Sequence, residues 1–252
     1  MTLYRHVRTG RLAAVQSGGH WWVRRSDLAA LGRRGQPGRH PGPARWAHLS
    51  SALEGRLLAG DVTGAWSLVE DALAHGARPS DIYIEVLAPA LRHIGEGWAS
   101  GLVTVRAEHV ATEAALRVMG RLGPNFYPRG SRADGTVVLG AAPGDPHLVP
   151  VMMVADLLRS CHFTVLDLGA NVPEESFLEV AKVAPDLRAV GVSLSDAGCA
   201  AAAARCLASL RETVPGVLLL AGGPALTSRQ QALDLGADAW APHGLAAAQL
   251  LA

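Results

Sequence analysis

The chain has 252 residues, 49% of them hydrophobic, with a formal net charge of +1. These values exclude wholesale disorder and allow a moderate core or two to three small domains. Nine Arg and a single acid, Asp27, fall within residues 1–45, a local charge of +8 that leaves −7 on the remainder, so a phosphate-bearing partner is plausible at the front only.

The three cysteines, Cys161, Cys199 and Cys206, are odd in number and form no CxxC, which points to a reducing compartment and to buried free thiols rather than disulfides or structural zinc. No charged leader precedes an apolar stretch, and no run of about 18 uninterrupted apolar residues occurs. A cytoplasmic location without membrane insertion is expected.

In chain order, residues 1–31 form a small separate unit, and 32–45 (GRRGQPGRHPGPAR) read as a linker because Gly, Pro and Arg dominate without apolar periodicity. Four helices are predicted next: Trp46–Ala59; Asp61–His75, with Asp61 as N-cap and Gly76 as stop; Pro79–Trp98; and Thr104–Leu122, ended by Gly123. Their short connections imply an antiparallel four-helix bundle over 46–123. Pro89 lacks an N–H inside the third helix and is expected to kink it.

A second break, GPNFYPRGSRADG at 123–135, separates the bundle from an α/β region. Strand-like runs at Thr136–Ala141, Phe163–Leu168, Ala189–Ser195, Val217–Ala221 and Ala239–Ala241 alternate with helical stretches beginning near His147, Pro173, Ala197, Thr227 and Gly244. Such a series predicts a parallel sheet covered on both faces, with its ligand site at the carboxyl ends of the strands.

Three features lie just after those strands. Gly144-Asp145-Pro146-His147 presents an imidazole with a carboxylate two residues before it, which suits a metal ligand whose second ring nitrogen is oriented by the carboxylate. Taken alone, an Asp-x-His loop is more often a helix cap followed by an exposed imidazole. Ser193-Leu194-Ser195 and Gly222-Gly223-Pro224 describe a slot with hydroxyls and absent side chains, or equally a tight strand-to-helix turn that needs glycine.

In this order the three features resemble the cobalamin-binding domain of methionine synthase, corrinoid proteins and B12 photoreceptors, with the pattern D-x-H-x-x-G, S-x-L or S-x-T, then G-G. The resemblance spans 135–252 and implies a flavodoxin-like, Rossmann-like α/β domain. It also implies that Asp145 orients His147 as lower cobalt ligand while the displaced cofactor tail enters a slot lined by Ser193, Ser195, Gly222 and Gly223. Pro150 stands where that pattern has its final glycine, and Ser195 where it has Leu or Thr.

In the bundle, Trp98 is followed by nine residues and then Glu108-His109. This W-x9-EH is similar to the motif of light-sensing cobalamin-dependent repressors, in which the three residues cover the upper face and the adenosyl group. Separately, Trp98 also suits a bundle core, and Glu108 and His109 a solvated pair. Ala99 stands where those repressors carry a second cobalt-binding histidine, leaving His93 or His109 as substitutes.

Residues 1–31 resemble the second half of an excisionase or MerR-like winged helix-turn-helix, a likeness that implies DNA contacts from Arg5, Arg8, Arg24 and Arg25. The likenesses together imply an adenosylcobalamin-dependent light sensor, regulating transcription where residues 1–31 bind DNA, that acts as a homo-oligomeric switch rather than an enzyme. Two alternatives stay open: a B12 photoreceptor holding an additional biliverdin-type bilin without binding DNA, and a corrinoid methyl carrier of a methyltransferase.

Overall fold

The computed structural model describes residues 14–17, 20–24, 42–127 and 133–251. The chain packs as two units that divide between Ala111 and Thr112.

In the first unit, strands β1 (Ala14–Ser17) and β2 (His20–Val23) pair antiparallel, with Ala14 opposite Val23. Helix α1 (Pro43–Leu58) begins inside the stretch read as linker. Gly42 caps it and Pro43 takes the first helical position, where a missing N–H costs nothing. Helix α2 (Val62–Ala74) starts as expected, since Asp61 accepts a hydrogen bond from the Gly64 amide at 2.8 Å. Gly76, at φ +94°, ends it.

Helix α3 runs through Pro79–Asp81, a π-helical stretch Ile82–Leu87, and Ala88–Ala99. The wider turn explains how Pro89 is tolerated: the Ala88 amide already bonds five residues back, to Tyr83, so the helix changes its hydrogen-bond register just before the residue that cannot donate. The Ser50 hydroxyl of α1 donates to the Val86 carbonyl of this stretch at 3.0 Å. Leu53 and Leu57 of α1, Val69 of α2, and Ile82 and Val86 of α3 form the interior. On the outside, His93 Nδ1 lies 2.9 Å from the Glu54 carboxylate. Helix α4 (Val105–Leu122) follows, and both units share it.

The second unit holds strands β3 (Thr136–Ala141), β4 (Thr164–Asp167), β5 (Leu187–Ser193), β6 (Leu218–Gly222) and β7 (Ala239–Trp240). All are parallel, in the order β4-β3-β5-β6-β7. Between them run α5 (Leu148–Ser160), α6 (Glu174–Val183), α7 (Ala200–Thr213) and α8 (Arg229–Asp234), with α9 (Gly244–Leu251) at the end. This is the doubly wound α/β order in which the chain reverses direction between the first and third strands, here β3 and β5.

Alternation along the strands fills both faces. Val138, Val190, Leu219 and Ala221 join Phe177 of α6 and Leu207 of α7 on one side. Val137, Ala189 and Leu220 join Leu158 of α5 and Ala247 of α9 on the other. Phe177 is wholly buried, and its ring occupies the space a side chain at Gly140 would need.

Phe177→Ala should therefore destabilise the protein by about 3–5 kcal/mol in urea titrations, because the rigid strand behind it cannot collapse into the void. In the first unit, the hydrogen bond and charge of Glu54 hold the His93 imidazole above its ordinary pKa of 6.5. A pKa raised by folding contributes stability in full below 6.5 and loses it as pH rises through the raised value. NMR titration should accordingly find His93 above 6.5 in the native chain and back near it in Glu54→Gln.

Candidate functional site

The carboxyl edge of the sheet at the β3/β5 reversal is built around Asp145, which is completely buried. One carboxylate oxygen, Oδ1, accepts from the His147 amide at 3.1 Å and meets His147 Nδ1 at 2.7 Å. The other, Oδ2, accepts from the amides of Ser195 at 2.5 Å and Asp196 at 3.2 Å. A buried carboxylate without donors would be expensive; four here compensate it and join the loops after β3 and β5.

His147 is the cap residue of α5, with extended backbone at φ −80° and ψ 101°, so its side chain stands at the helix start. The side chain is 52% exposed while Asp145 is 0% exposed. With Nδ1 engaged by the carboxylate, Nε2 is the nitrogen left for a metal. Pro150 lies in the first turn of α5, where its lack of an N–H is harmless.

The loop is held from the β4 side as well. Asn171, at φ +48°, accepts the Gly144 amide on its Oδ1 at 2.7 Å, and its own amide donates to the Asp145 carbonyl at 2.7 Å. Sequence reasoning passed over this residue. Its only signal was an Asn two residues after Gly169 at the end of a strand, a pattern shared with ordinary turns.

Ser193 closes β5 and is buried, whereas Ser195 lies past the strand end that was expected to include it. The Ser195 Oγ is buried without a hydrogen-bond partner. An orphaned hydroxyl of this kind fits a site whose polar partner arrives with a ligand.

The glycine pair turns out to serve the fold. A Cβ on Gly222 would run into the Ala241 carbonyl oxygen, and one on Gly223, at φ +109°, into the Leu194 backbone. Both glycines let neighbouring strand ends close on one another, so the close approach they permit is to the protein's own backbone.

Cys199 lies beside Gly144 and opens α7. Burial, then the charges of Asp196 and Asp145, push its thiol pKa up, so it stays protonated at neutral pH. Burial also raises Cys206 to about 12. Of the three thiols expected to be buried, Cys161 and Cys199 are half-buried and only Cys206 is fully enclosed.

In the first unit, Trp98 lies in the last turn of α3 and is 51% exposed, which removes the core-aromatic explanation for it. The Gly97 carbonyl accepts from the amides of Leu102 and Val103, which folds the following turn back onto the end of α3. Thr104 caps α4 through the Ala107 amide at 3.2 Å. One turn on, His109 Nδ1 meets the Glu108 carboxylate at 2.6 Å. His93, considered as a substitute ligand, has its Nδ1 on Glu54. Trp98, Glu108 and His109 thus belong to the first unit, and the residues around Asp145 to the second.

Of the DNA-contact candidates, Arg24 follows β2 and is exposed, while Arg5, Arg8 and Arg25 lie outside the described residues. Among the described residues no helix is long and apolar enough to cross a membrane.

Residues 135–250 match the family model of a B12 binding domain, and residues 49–122 match a second model also described as a B12 binding domain. Trimethylamine corrinoid protein 1 of Methanosarcina acetivorans is 33% identical over 120 residues, 47% of this chain and 56% of that protein. Monomethylamine corrinoid protein 1 of the same organism is 29% identical over 124 residues, 48% and 57% of the two chains. The chain spans a little over half the length of these curated relatives. The structure of the Methanosarcina barkeri monomethylamine corrinoid protein has the same fold, with a TM-score of 0.71 at 22% identity over 81% of this chain and 97% of that one. These relatives are corrinoid proteins rather than the photoreceptors and MerR-type regulators that the sequence motifs suggested. Two B12 binding domain matches in series, over 49–122 and 135–250, place the chain among the cobalamin-binding proteins.

Proposed function

We propose that the chain carries a corrinoid with His147 as its lower cobalt ligand and presents a methyl group on it to a partner methyltransferase. The observation that carries the reading is the buried Asp145 carboxylate on His147 Nδ1, at 2.7 Å, with the imidazole otherwise half exposed. Bound cobalamin would supply a cobalt centre able to accept and release a methyl group. Asp145 keeps the imidazole proton on Nδ1, which reserves the Nε2 lone pair for a metal. The unpartnered Ser195 Oγ suits a hydrogen bond with the cofactor tail. Support for the methyl-carrying form comes from relatives named for trimethylamine and monomethylamine. On this reading the chain is a carrier, and the transfer chemistry belongs to the cofactor and the partner enzyme.

A second reading, a light sensor holding adenosylcobalamin, is favoured by the half-exposed Trp98 together with the Glu108–His109 pair at W-x9-EH spacing. The strand pair β1–β2 with exposed Arg24 is consistent with a DNA-binding wing in such a sensor.

One set of spectra separates the two. The chain should be loaded in darkness with methylcobalamin or adenosylcobalamin, then exposed to green light, and in parallel the methyl form offered a thiol together with a corrinoid-dependent thiol methyltransferase. Methyl transfer to the thiol, with the adenosyl form bound no better than the methyl form, is the result expected of a carrier. Preferential adenosylcobalamin binding, lasting spectral change after light and no methyl transfer would overturn it in favour of the sensor. For the lower ligand, His147→Ala should change the absorption spectrum of the bound cofactor, and Asp145→Ala should weaken binding by roughly 10–100-fold, as loss of a carboxylate that orients a metal-bound histidine does. An unchanged spectrum in His147→Ala would remove this residue from the cobalt.

A further inference from the structure

Resting on the assignment of His147 as lower ligand, we infer that Asn171 is a positioning residue for it, acting through the Gly144–Asp145 backbone. Asp145 Oδ2 ties the loop to the β5 side of the sheet through the amides of Ser195 and Asp196. That carboxylate, with the Asp145 amide on the Ala142 carbonyl and the Ala142 amide on the Ser193 carbonyl, holds the loop toward β3 and β5. Asn171 supplies the second anchor, from the β4 side.

Its two bonds form a closed clamp. The side-chain Oδ1 accepts from Gly144 and the backbone amide donates to the Asp145 carbonyl, both at 2.7 Å. The clamp is itself carried by the sheet, because the β3–β4 pairing continues past the strands through Leu168 to Leu139, Ala141 to Gly169 and Val172 to Ala141. Asn171 needs a left-handed backbone, φ +48°, to present both groups to the same loop, and Gly144 takes φ +89° opposite it. Asn tolerates that conformation better than most residues with a side chain, and its short amide reaches a neighbouring amide from there. The loop carrying the imidazole is therefore pinned on two sides of β3, toward β5 through its own Asp145 carboxylate and toward β4 through Asn171.

Asn171→Gly is the informative variant, because it tolerates the left-handed backbone and keeps the backbone amide donor while removing the side chain, and with it the Oδ1 acceptor. Asn171→Asp restores an acceptor oxygen of the same reach. Two readouts are needed. Hydrogen exchange of the Gly144 amide, without cofactor, should quicken roughly fivefold in Asn171→Gly, the equivalent of one net hydrogen bond, and return toward native in Asn171→Asp. Electron paramagnetic resonance of bound cob(II)alamin, in protein labelled with 15N-histidine, reports whether an imidazole nitrogen sits on cobalt. The native chain should show the 15N splitting in full, and Asn171→Gly should lose part of it while still folding and binding. Native splitting and native Gly144 exchange in Asn171→Gly would overturn the inference and leave the His147 assignment standing. Absence of 15N splitting in the native chain would instead defeat the assignment on which it rests.

Discussion

The site depends on one buried carboxylate. Asp145 is 0% exposed, and each of its oxygens is committed to a different strand end: Oδ1 to His147 beyond β3, Oδ2 to Ser195 and Asp196 beyond β5. These are the two strands between which the chain reverses direction, so their following loops diverge toward opposite faces and open a crevice. A carboxylate at the mouth of that crevice resists burial unless it is bonded by donors. The same four donors that make its burial tolerable also fix where the imidazole stands, so the stability of the loops and the orientation of the ligand are consequences of one requirement.

The rest of the second unit serves to make this edge rigid. A sheet of parallel strands buried on both faces leaves the strand ends little freedom, and the tight places are filled by the protein itself. Phe177 occupies the space beside Gly140, and Gly222 and Gly223 accept the backbones of Ala241 and Leu194. Against that frame, the Ser195 hydroxyl stands out as a buried polar atom without a partner beside a residue that is bonded four times. A hydroxyl left unmet next to a fully compensated carboxylate keeps one hydrogen bond available to a ligand.

Much of this was legible in the sequence, for identifiable reasons. The apolar runs read at 136–141 and 189–195 have the length and β-branched content of interior strands, the second shifted two residues from the strand at 187–193, and the Asp61 and Gly76 signals act through neighbouring residues only. What escaped depended on partners distant in the chain or on two compatible readings of one residue. Pro43 and its neighbours read as linker because Gly and Pro break helices in general, yet proline is well suited to the first helical position, where α1 uses it. The consequence of Pro89 is expressed upstream, in the π-helical stretch 82–87, where a local rule places a kink at the proline. The Asp145–His147 pair was visible at two residues' spacing, whereas the bonds of Asp145 to 195 and 196, and of Gly144 to Asn171, cross 27 to 51 residues of chain.

The same division decides how far a lower-ligand module specifies function. The Asp145–His147 pair would serve a methyl carrier and a light sensor equally, because both need cobalt held from below by an oriented imidazole. Whatever separates them must lie outside that pair, and the sequence motif bearing on it, Trp98 with Glu108-His109, belongs to the first unit. There the pattern is mixed: Trp98 and the Glu108–His109 pair match a cap over an adenosyl group, while Ala99 offers no atom that could ligate a metal. The imidazoles of His93 and His109 each have Nδ1 on a carboxylate, the same arrangement that leaves Nε2 of His147 for a metal, so a histidine–carboxylate pair by itself does not distinguish the two functions.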